Sequence, residues 1–92
     1  MVRGYRSRVR ILYDILKQVD ILENIDGVAR PTKIMYKANL SYERLKTYID
    51  ELERRGLISR EGEGYRLTEN GARFLIELER IINMLRAFGF EP

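Results

Sequence analysis

The chain's 92 residues suffice for one domain but not for two, and its 45% hydrophobic and 34% charged content excludes a disordered tail. Because cysteine and histidine are absent, disulfides, Cys/His zinc sites and His-based catalytic triads are excluded, and no apolar run approaches the roughly 20 residues of a membrane-spanning helix. The net charge of +3 is concentrated in residues 1–10, with four arginines and no acid, and in residues 27–50, with five basic and two acidic residues. Two basic stretches of this kind suit a polyanion such as nucleic acid, or they form an ordinary solvated surface of mixed charge.

The first predicted element is a helix that Ser7 caps and that ends near residue 23. Its apolar residues recur at intervals of three and four positions, as on one buried face of a helix: Val9, Leu12, Leu16 and Val19. Gly27 and the polar residues just before it then break the helix. Residues 28–30 are too few to assign alone, and they indicate a strand stub or a linker.

A short second helix is predicted over residues 33–38. Pro31 sets up its start, and Thr32 offers a capping oxygen. Ile34 and Met35 are expected to face the core. Asn39 begins a tight turn after this helix, because asparagine is one of the few residues that tolerate a positive φ.

A third helix is predicted over residues 42–55, with Ser41 as its N-cap and a glycine just beyond its end. Its inward face is expected to hold Leu45, Tyr48, Ile49 and Leu52. Among the nearby tyrosines, Tyr36 and Tyr48 are expected to fill the core, and only Tyr42 is expected to be exposed.

A β-hairpin and a long helix complete the chain. Residues 57–60 and 65–67 are β-prone, and the glycine-rich residues 62–64 between them can form the turn. Thr68 is expected to cap a last helix that runs from residue 69 to about residue 88.

The order of these elements predicts a winged helix-turn-helix, because a short helix, a tight turn and a longer capped helix are followed directly by a hairpin. We therefore predict a mostly α fold with a small β wing. Residues 1–67 are expected to form the DNA-binding domain with a basic N-terminal arm, and residues 68–92 a C-terminal coiled-coil dimerisation helix and tail. The alternative is a generic three-helix domain whose hairpin touches no nucleic acid.

Two segments also resemble a known family. Residues 27–57, GVARPTKIMYKANLSYERLKTYIDELERRGL, resemble the helix-turn-helix core of small archaeal winged-helix DNA-binding proteins, and RPTKIMYKANLSY is their most distinctive part. Residues 65–75, YRLTENGARFL, resemble the junction between the wing and the last helix in that family. The resemblance covers nearly the whole chain. It implies dimerisation through a C-terminal antiparallel coiled coil, and a role either as a regulator-like protein or as an abundant chromatin protein.

Candidate DNA contacts come from the N-terminal arm, the helix-turn-helix and the base of the wing. They are basic or hydrogen-bonding residues on faces expected to be exposed: Arg6, Arg8, Arg30, Lys33, Lys37, Ser41, Tyr42, Arg44, Lys46, Thr47, Arg60 and Arg66. Arg44 has the reach to pair with guanine, whereas Lys33 and Lys37 are placed for phosphate. Glu61 and Glu63 make the tip of the wing acidic, which argues against deep insertion into a minor groove. For each residue the alternative is a solvated position on the surface.

The last helix has the most regular hydrophobic pattern in the chain. Spacings of three and four, typical of a and d positions in a coiled coil, connect Gly71, Phe74, Leu78, Ile81, Leu85 and Phe88. The rest of the domain is too small to cover this stripe, so a homodimer through residues 71–88 is predicted. Its interface is expected to contain Phe74, Leu78, Ile81, Ile82, Leu85 and Phe88. The alternative is a monomer with a capping helix, and the few charges at e and g positions do not fix the orientation of paired helices.

These features predict a transcription regulator that binds double-stranded DNA as a homodimer through the second helix of the helix-turn-helix, the preceding helix and the wing. An abundant, non-sequence-specific chromatin protein is one alternative, and a protein-interaction winged helix without DNA binding is another. No catalytic residue, metal site, cofactor or small-molecule ligand is expected, because no nucleophile–base pair and no phosphate-cradling glycine loop is present. The arginine-rich start lacks an apolar signal segment, so a cytoplasmic, nucleoid-associated protein without a membrane partner is expected. The sequence does not fix the operator, an effector ligand or the abundance of the protein.

Overall fold

A computed structural model describes residues 6–91, so Arg3 and Tyr5 of the predicted arm lie outside the described residues. Within this range the chain forms four helices and one two-stranded sheet. In chain order they are α1 (Arg8–Asp26), α2 (Pro31–Ala38), α3 (Tyr42–Arg54), β1 (Ile58–Glu61), β2 (Gly64–Leu67) and α4 (Glu69–Ala87). The prediction of a mostly α fold with a small β wing is confirmed.

Three helices begin at the side-chain caps that the sequence predicts. The hydroxyl oxygens of Ser7, Ser41 and Thr68 accept hydrogen bonds from backbone N–H groups three residues further on, at 3.1, 3.2 and 3.0 Å. Each bond satisfies one of the donors that a helix N-terminus leaves unpaired. The first helix extends three residues beyond its predicted end, to Asp26, and the φ of 88° and the N–H bond to Glu23 of the next residue, Gly27, close the last turn.

The start of α2 differs from the prediction. Arg30 is the N-cap, in extended conformation and without a side-chain bond, and Pro31 is the first helical residue. Thr32 therefore lies inside the first turn and caps nothing, because proline with its fixed φ begins the helix two residues earlier than predicted. Asn39 ends the helix in the left-handed conformation with φ 57°, as predicted for the turn.

The core is built around α1, which contacts α2, α4 and the wing strand β2. The buried side chains of the core come from all four helices, the sheet and the segment after α1. Among them Ile15, Leu16, Val19, Ile34 and Ala29 are fully inaccessible to solvent. Val9 is the exception to the predicted face of α1, because it is 40% exposed at the start of the helix, while Ile11 takes the buried position there. In α3, Leu45, Ile49 and Leu52 are buried, and Tyr48 packs against them only in part.

The wing is connected to the rest of the domain by a short strand-like bridge. Ala29, in the segment predicted as a strand stub or linker, exchanges two backbone hydrogen bonds with Tyr65 at 2.8 and 2.9 Å. A Cβ atom on Gly64 would lie 2.7 Å from the carbonyl oxygen of Ala29, so glycine is needed for this close approach. At the other end of β2, the carboxylate of Glu23 accepts a hydrogen bond from the N–H of Leu67 at 2.7 Å. The end of α1 and the segment that follows it therefore each hold β2 at one point.

The start of α4 presses against the loop between α3 and β1. Thr68 donates a backbone bond to Leu57 at 3.1 Å, and its hydroxyl donates to the carbonyl of Gly56 at 2.6 Å. A Cβ atom added to Gly71 would lie 1.8 Å from the carbonyl oxygen of Leu57. Only glycine allows the helix to approach the loop this closely.

We expect Gly71→Ala to lower the free energy of unfolding by about 1–3 kcal/mol, because the added methyl group must push backbone atoms apart. The matched control is Asn83→Ala, an exposed position in the same helix, which should stay within about 0.5 kcal/mol of the wild type. Urea unfolding followed by circular dichroism measures both changes. A Gly71→Ala variant as stable as the control would contradict the close approach.

Candidate nucleic-acid interface

Helix α3 presents a polar face to solvent while its apolar face fills the core. The residues exposed along its first half are Tyr42, Glu43, Arg44, Lys46 and Thr47. They are donors and acceptors of varied chemistry, and the helix as a whole carries as many acids as bases between residues 41 and 55. A face of this kind can form hydrogen bonds with base edges but does not by itself attract a polyanion strongly.

The wing flanks α3 on one side. A shallow cavity of about 110 Å³ separates them, and its wall includes Tyr42, Lys46 and Asp50 from α3 and Arg60 and Tyr65 from the wing. The guanidinium of Arg60 lies 5.0 Å from the centre of the Tyr65 ring. It also donates a hydrogen bond to the phenol oxygen of Tyr65 at 2.8 Å. This stacking holds the charge of Arg60 beside the exposed face of α3.

The N-terminus of α1 flanks α3 on the other side. Arg8 lines an open depression together with Arg44, Thr47, Tyr48 and Glu51 of α3. The pKa of Glu51 lies below its ordinary value, mainly because Arg55 donates a hydrogen bond to its carboxylate, and the charge of Arg8 acts in the same direction. Arg8 and Arg60 therefore lie on opposite sides of the exposed face of α3.

The cations around this face differ in whether they already have an acidic partner. Within residues 6–91, Arg8, Lys37, Arg44 and Arg60 form no ion pair. Three further candidates have exposed partners: Lys33 with Asp26 at 3.3 Å, Lys46 with Asp50 at 3.6 Å and Arg30 with Glu63 at 3.8 Å. Exposed pairs of this kind contribute little to stability, so these side chains can turn to phosphate at small cost.

Two of the predicted DNA contacts, Arg6 and Arg66, form hydrogen bonds and ion pairs with other parts of the chain, which the sequence did not indicate. The guanidinium of Arg6 donates to Asp14 at 2.6 Å and to the carbonyl of Asn39, in the helix-turn-helix turn, at 2.9 Å. Arg66 donates to the carbonyl of Gly27 at 3.2 Å and lies 3.7 Å from the Glu23 carboxylate. Both arginines join segments distant in the sequence, so the structure gives them a role in holding the fold.

Tyr36 is a surface residue, contrary to the prediction that it fills the core. It is 76% exposed on α2, next to Lys33 and Lys37, because Ile34 and Ala38 occupy the buried side of this short helix. A phenol hydroxyl beside two lysines adds a donor for a phosphate oxygen. The spacing of three and four positions from Lys33 to Tyr36 and Lys37 is the sequence signal that would have placed it there.

The predicted dimer residues separate into two groups. Leu78 and Ile82 are only 6% and 1% exposed because they pack in the core of the chain itself, so the prediction that they face a second chain is corrected. Ile81 and Phe88 are 46% and 74% exposed, and Phe74 and Leu85 are half-buried. The buried face of α4 instead contains Gly71, Leu75, Leu78 and Ile82.

Contacts between α1 and α4 fix the position of the last helix. Glu79 accepts a hydrogen bond from the hydroxyl of Tyr13 at 2.9 Å and lies 3.4 Å from Lys17. The pKa of Tyr13 lies above its ordinary value, mainly because the phenol is partly buried and to a smaller extent because of this hydrogen bond to Glu79. In residues 6–91 no cluster of acidic side chains could hold a metal ion, and no helix of that part is long and apolar enough to cross a bilayer.

Comparison with known proteins gives a consistent result. Residues 5–86 match a family described as winged helix-turn-helix. The uncharacterized protein MJ0287 of Methanocaldococcus jannaschii is 36% identical over 84 residues, which cover 88% of this chain and 81% of that protein. MJ0290 of the same archaeon, also uncharacterized, is 31% identical over 80 residues, which cover 87% of this chain but only 36% of that protein.

A solved structure shares the fold. The crystal structure of Sso10a-2, a DNA-binding protein from Sulfolobus solfataricus, superposes with a TM-score of 0.71 at 23% sequence identity. The superposition covers 90% of this chain and 85% of that chain. The two chains therefore share the same fold.

The different environments of the arginines and lysines generate a stability prediction. We expect Arg66→Ala to lower the free energy of unfolding by about 1 kcal/mol, because it removes the link between β2 and the end of α1. Lys37→Ala, the matched control at a cation without an internal partner, should change stability by less than about 0.5 kcal/mol. Equal stabilities of the two variants in urea unfolding would show that Arg66 does not hold the wing.

Proposed function

We propose that this chain, which belongs to the winged helix-turn-helix family, binds double-stranded DNA with α3 in the major groove. The observation that carries the proposal is the placement of Arg8 and Arg60 on opposite sides of the exposed face of α3. A helix inserted into a groove about 12 Å wide has a phosphate backbone on each side. A cation on each flank of α3 is therefore positioned to contact the phosphates of one of the two DNA strands.

Helix α2 supplies the second set of phosphate contacts in this proposal. Lys33, Tyr36 and Lys37 form one exposed face of α2, the helix that crosses the backbone in a helix-turn-helix complex. Their contacts would fix the register of α3 without reading sequence. Arg30, at the start of α2, and the base of the wing extend the same surface, while the acidic tip of the wing stays out of the minor groove.

We propose a regulator that reads sequence, in preference to a uniform coat on chromosomal DNA. The exposed first half of α3 offers a phenol, a carboxylate, a guanidinium and a hydroxyl, and these groups suit base edges better than phosphate. Glu43 can accept a hydrogen bond from a cytosine amino group but would repel phosphate. The architectural role remains the second candidate, because the flanking cations alone are sufficient for non-specific binding.

We also propose that the protein acts as a homodimer through α4 and has no enzymatic activity. Ile81, Met84 and Phe88 are large apolar side chains exposed on one side of α4, and Leu85 lies half-buried beside them. Burying a fully exposed side chain of this size is worth roughly 1.5–3 kcal/mol, so covering the exposed part of each one favours a second copy of the helix. A two-fold dimer would also present two copies of α3 to a symmetric site on DNA.

Binding should weaken steeply with salt, since each neutralised phosphate contributes about −0.9 to the slope of log affinity against log salt concentration. Lys33→Ala with Lys37→Ala should lower affinity for every duplex to a similar degree and reduce the slope by about 2 per protomer. Arg80→Ala, an exposed cation in the middle of α4, serves as the control and should leave the slope unchanged. Anisotropy titrations at several salt concentrations measure the slope. Binding without salt dependence would contradict this interface.

Arg44 tests whether the protein reads sequence. A duplex selected from a random library should bind more tightly than bulk DNA, and Arg44→Ala should reduce that discrimination by about 1–3 kcal/mol, the value of one bidentate contact with guanine. The double lysine variant should weaken both duplexes equally and keep the discrimination. A selection that yields no motif would exclude the regulator and leave the chromatin role. No binding of either duplex at low salt would instead favour a protein-interaction domain.

A further inference from the structure

An apolar groove lies between α3 and α4, beside the first two turns of α1. Its volume of about 410 Å³ falls in the range of roughly 300–1,000 Å³ that small-molecule sites occupy. The apolar part of its lining comes from three helices and the loop before the wing: Leu12, Tyr48, Leu52, Leu57 and Phe74. Of these residues only Leu52 is buried, so four partly exposed hydrophobic side chains surround an open space.

Two of the lining side chains are aromatic, and they come from the two helices that form the groove. Tyr48 belongs to α3 and Phe74 to α4, and each ring is partly exposed. Aromatic pairs prefer offset stacking or edge-to-face contact, and both arrangements add to the gain from burying apolar area. A flat aromatic group therefore suits this lining.

The rim of the groove is positively charged. It carries Arg8, Glu51 and Arg55. The carboxylate of Glu51 forms ion pairs with both Arg54 and Arg55, so this acid is more than balanced. Arg8 is exposed and forms no ion pair within residues 6–91. Because a guanidinium can bind a carboxylate through two parallel hydrogen bonds, the rim complements an anion with a single carboxylate.

We propose that this groove is a binding site for a small aromatic monocarboxylate, with its ring between Tyr48 and Phe74 and its carboxylate at Arg8. A neutral compound would use the apolar lining but leave the charge of Arg8 without a partner, and a cation would be repelled by it. Such a ligand is not predicted from the sequence, because the lining residues come from segments far apart in the chain.

A ligand in this groove would compete with DNA for one side chain. Arg8, Tyr48 and Glu51 line both the groove and the adjoining depression beside the exposed face of α3. In the proposed complex Arg8 contacts a DNA phosphate, and a bound carboxylate would hold the same guanidinium. We therefore expect the ligand to weaken DNA binding. This coupling rests on the proposed function, whereas the site itself does not.

The site can be tested without DNA by titrating the full chain with 2-naphthoate while amide signals are followed by NMR. A dissociation constant of roughly 0.1–1 mM is expected for a compound of this size. The shifts should centre on the amides of Leu12, Tyr48, Leu57 and Phe74. The matched neutral compound, 2-naphthamide, should bind about tenfold more weakly, because it cannot form the charge-assisted bonds to Arg8.

The matched variants are Arg8→Gln and Arg80→Gln, the second at an exposed arginine of α4 outside the lining of the groove. Arg8→Gln should bind the acid and the amide equally, and Arg80→Gln should keep the preference for the acid. Equal binding of the two compounds by the wild type would overturn the proposal. Unmoved groove signals at about 10 mM naphthoate, well above the expected range, would do the same, as would shifts centred on Ile81, Met84 and Phe88.

Anisotropy titrations with a DNA duplex test the coupling. Saturating 2-naphthoate should lower the affinity of the wild type more than the same concentration of sodium chloride does. It should also reduce the salt slope by about 0.9 per protomer, the value of one phosphate contact. Arg8→Gln should show neither effect. Naphthoate that binds the groove without weakening DNA binding would overturn the competition at Arg8 and keep the site. A protein that binds no duplex would overturn the proposed function, and the titration without DNA would still decide whether the site exists.

Discussion

The contact between Gly71 and the carbonyl of Leu57 sets the direction of α4, and much of the surface depends on that direction. The glycine permits an approach that any side chain would block, and Thr68 adds two hydrogen bonds to the same loop. With its start held there and Glu79 bonded to Tyr13 of α1, the helix has one way to lie across the domain. The helix buries Leu75, Leu78 and Ile82, and its last turn beyond Ile82 is mostly exposed.

Features that depend on neighbouring residues could be predicted from the sequence. A capping hydroxyl, a left-handed asparagine and a glycine after a helix act within three or four positions of themselves, which is why Ser41 and Asn39 were predicted correctly. Thr32 was the exception, because the helix begins at Pro31 and Thr32 therefore lies inside its first turn. The order of elements then follows from these boundaries.

Features that depend on distant partners could not be predicted in this way. Arg6 resembles any other arginine of a basic arm until Asp14 and Asn39 are seen beside it, and its bond to Asn39 spans 33 residues. The phase of α4 was ambiguous for a different reason. Spacings of four and then three residues lead from Phe74 to Leu78 and on to Ile81. Because each residue advances a helix by about 100°, Leu78 and Ile81 nevertheless lie on faces about 60° apart. Burial, which the sequence does not show, decides which face meets the core.

In the proposed complex, different residues attract DNA and distinguish its sequence. Because acids and bases balance along this helix, non-specific attraction to DNA has to come from its surroundings, in particular from Arg8, Arg60 and α2. A strongly basic helix would bind any duplex and weaken the difference between sites. A neutral one leaves base-edge contacts as a larger share of the binding energy, provided that the flanking cations hold it in the groove.

Dimerisation through α4 and DNA binding through α3 are linked in the proposed dimer. Arg8, Tyr48 and Glu51 line both the depression beside the exposed face of α3 and the apolar groove between α3 and α4, so the two surfaces share side chains. If dimerisation through α4 strengthens DNA binding, DNA must in turn strengthen the dimer by the same factor, because coupling between two binding equilibria is reciprocal. A chain of this size has a small core and few rigid contacts to spare, so pairing two copies through α4 would enlarge the DNA-binding surface without adding length. On this view, the apolar end of α4 and the polar face of α3 form a single functional surface in the dimer.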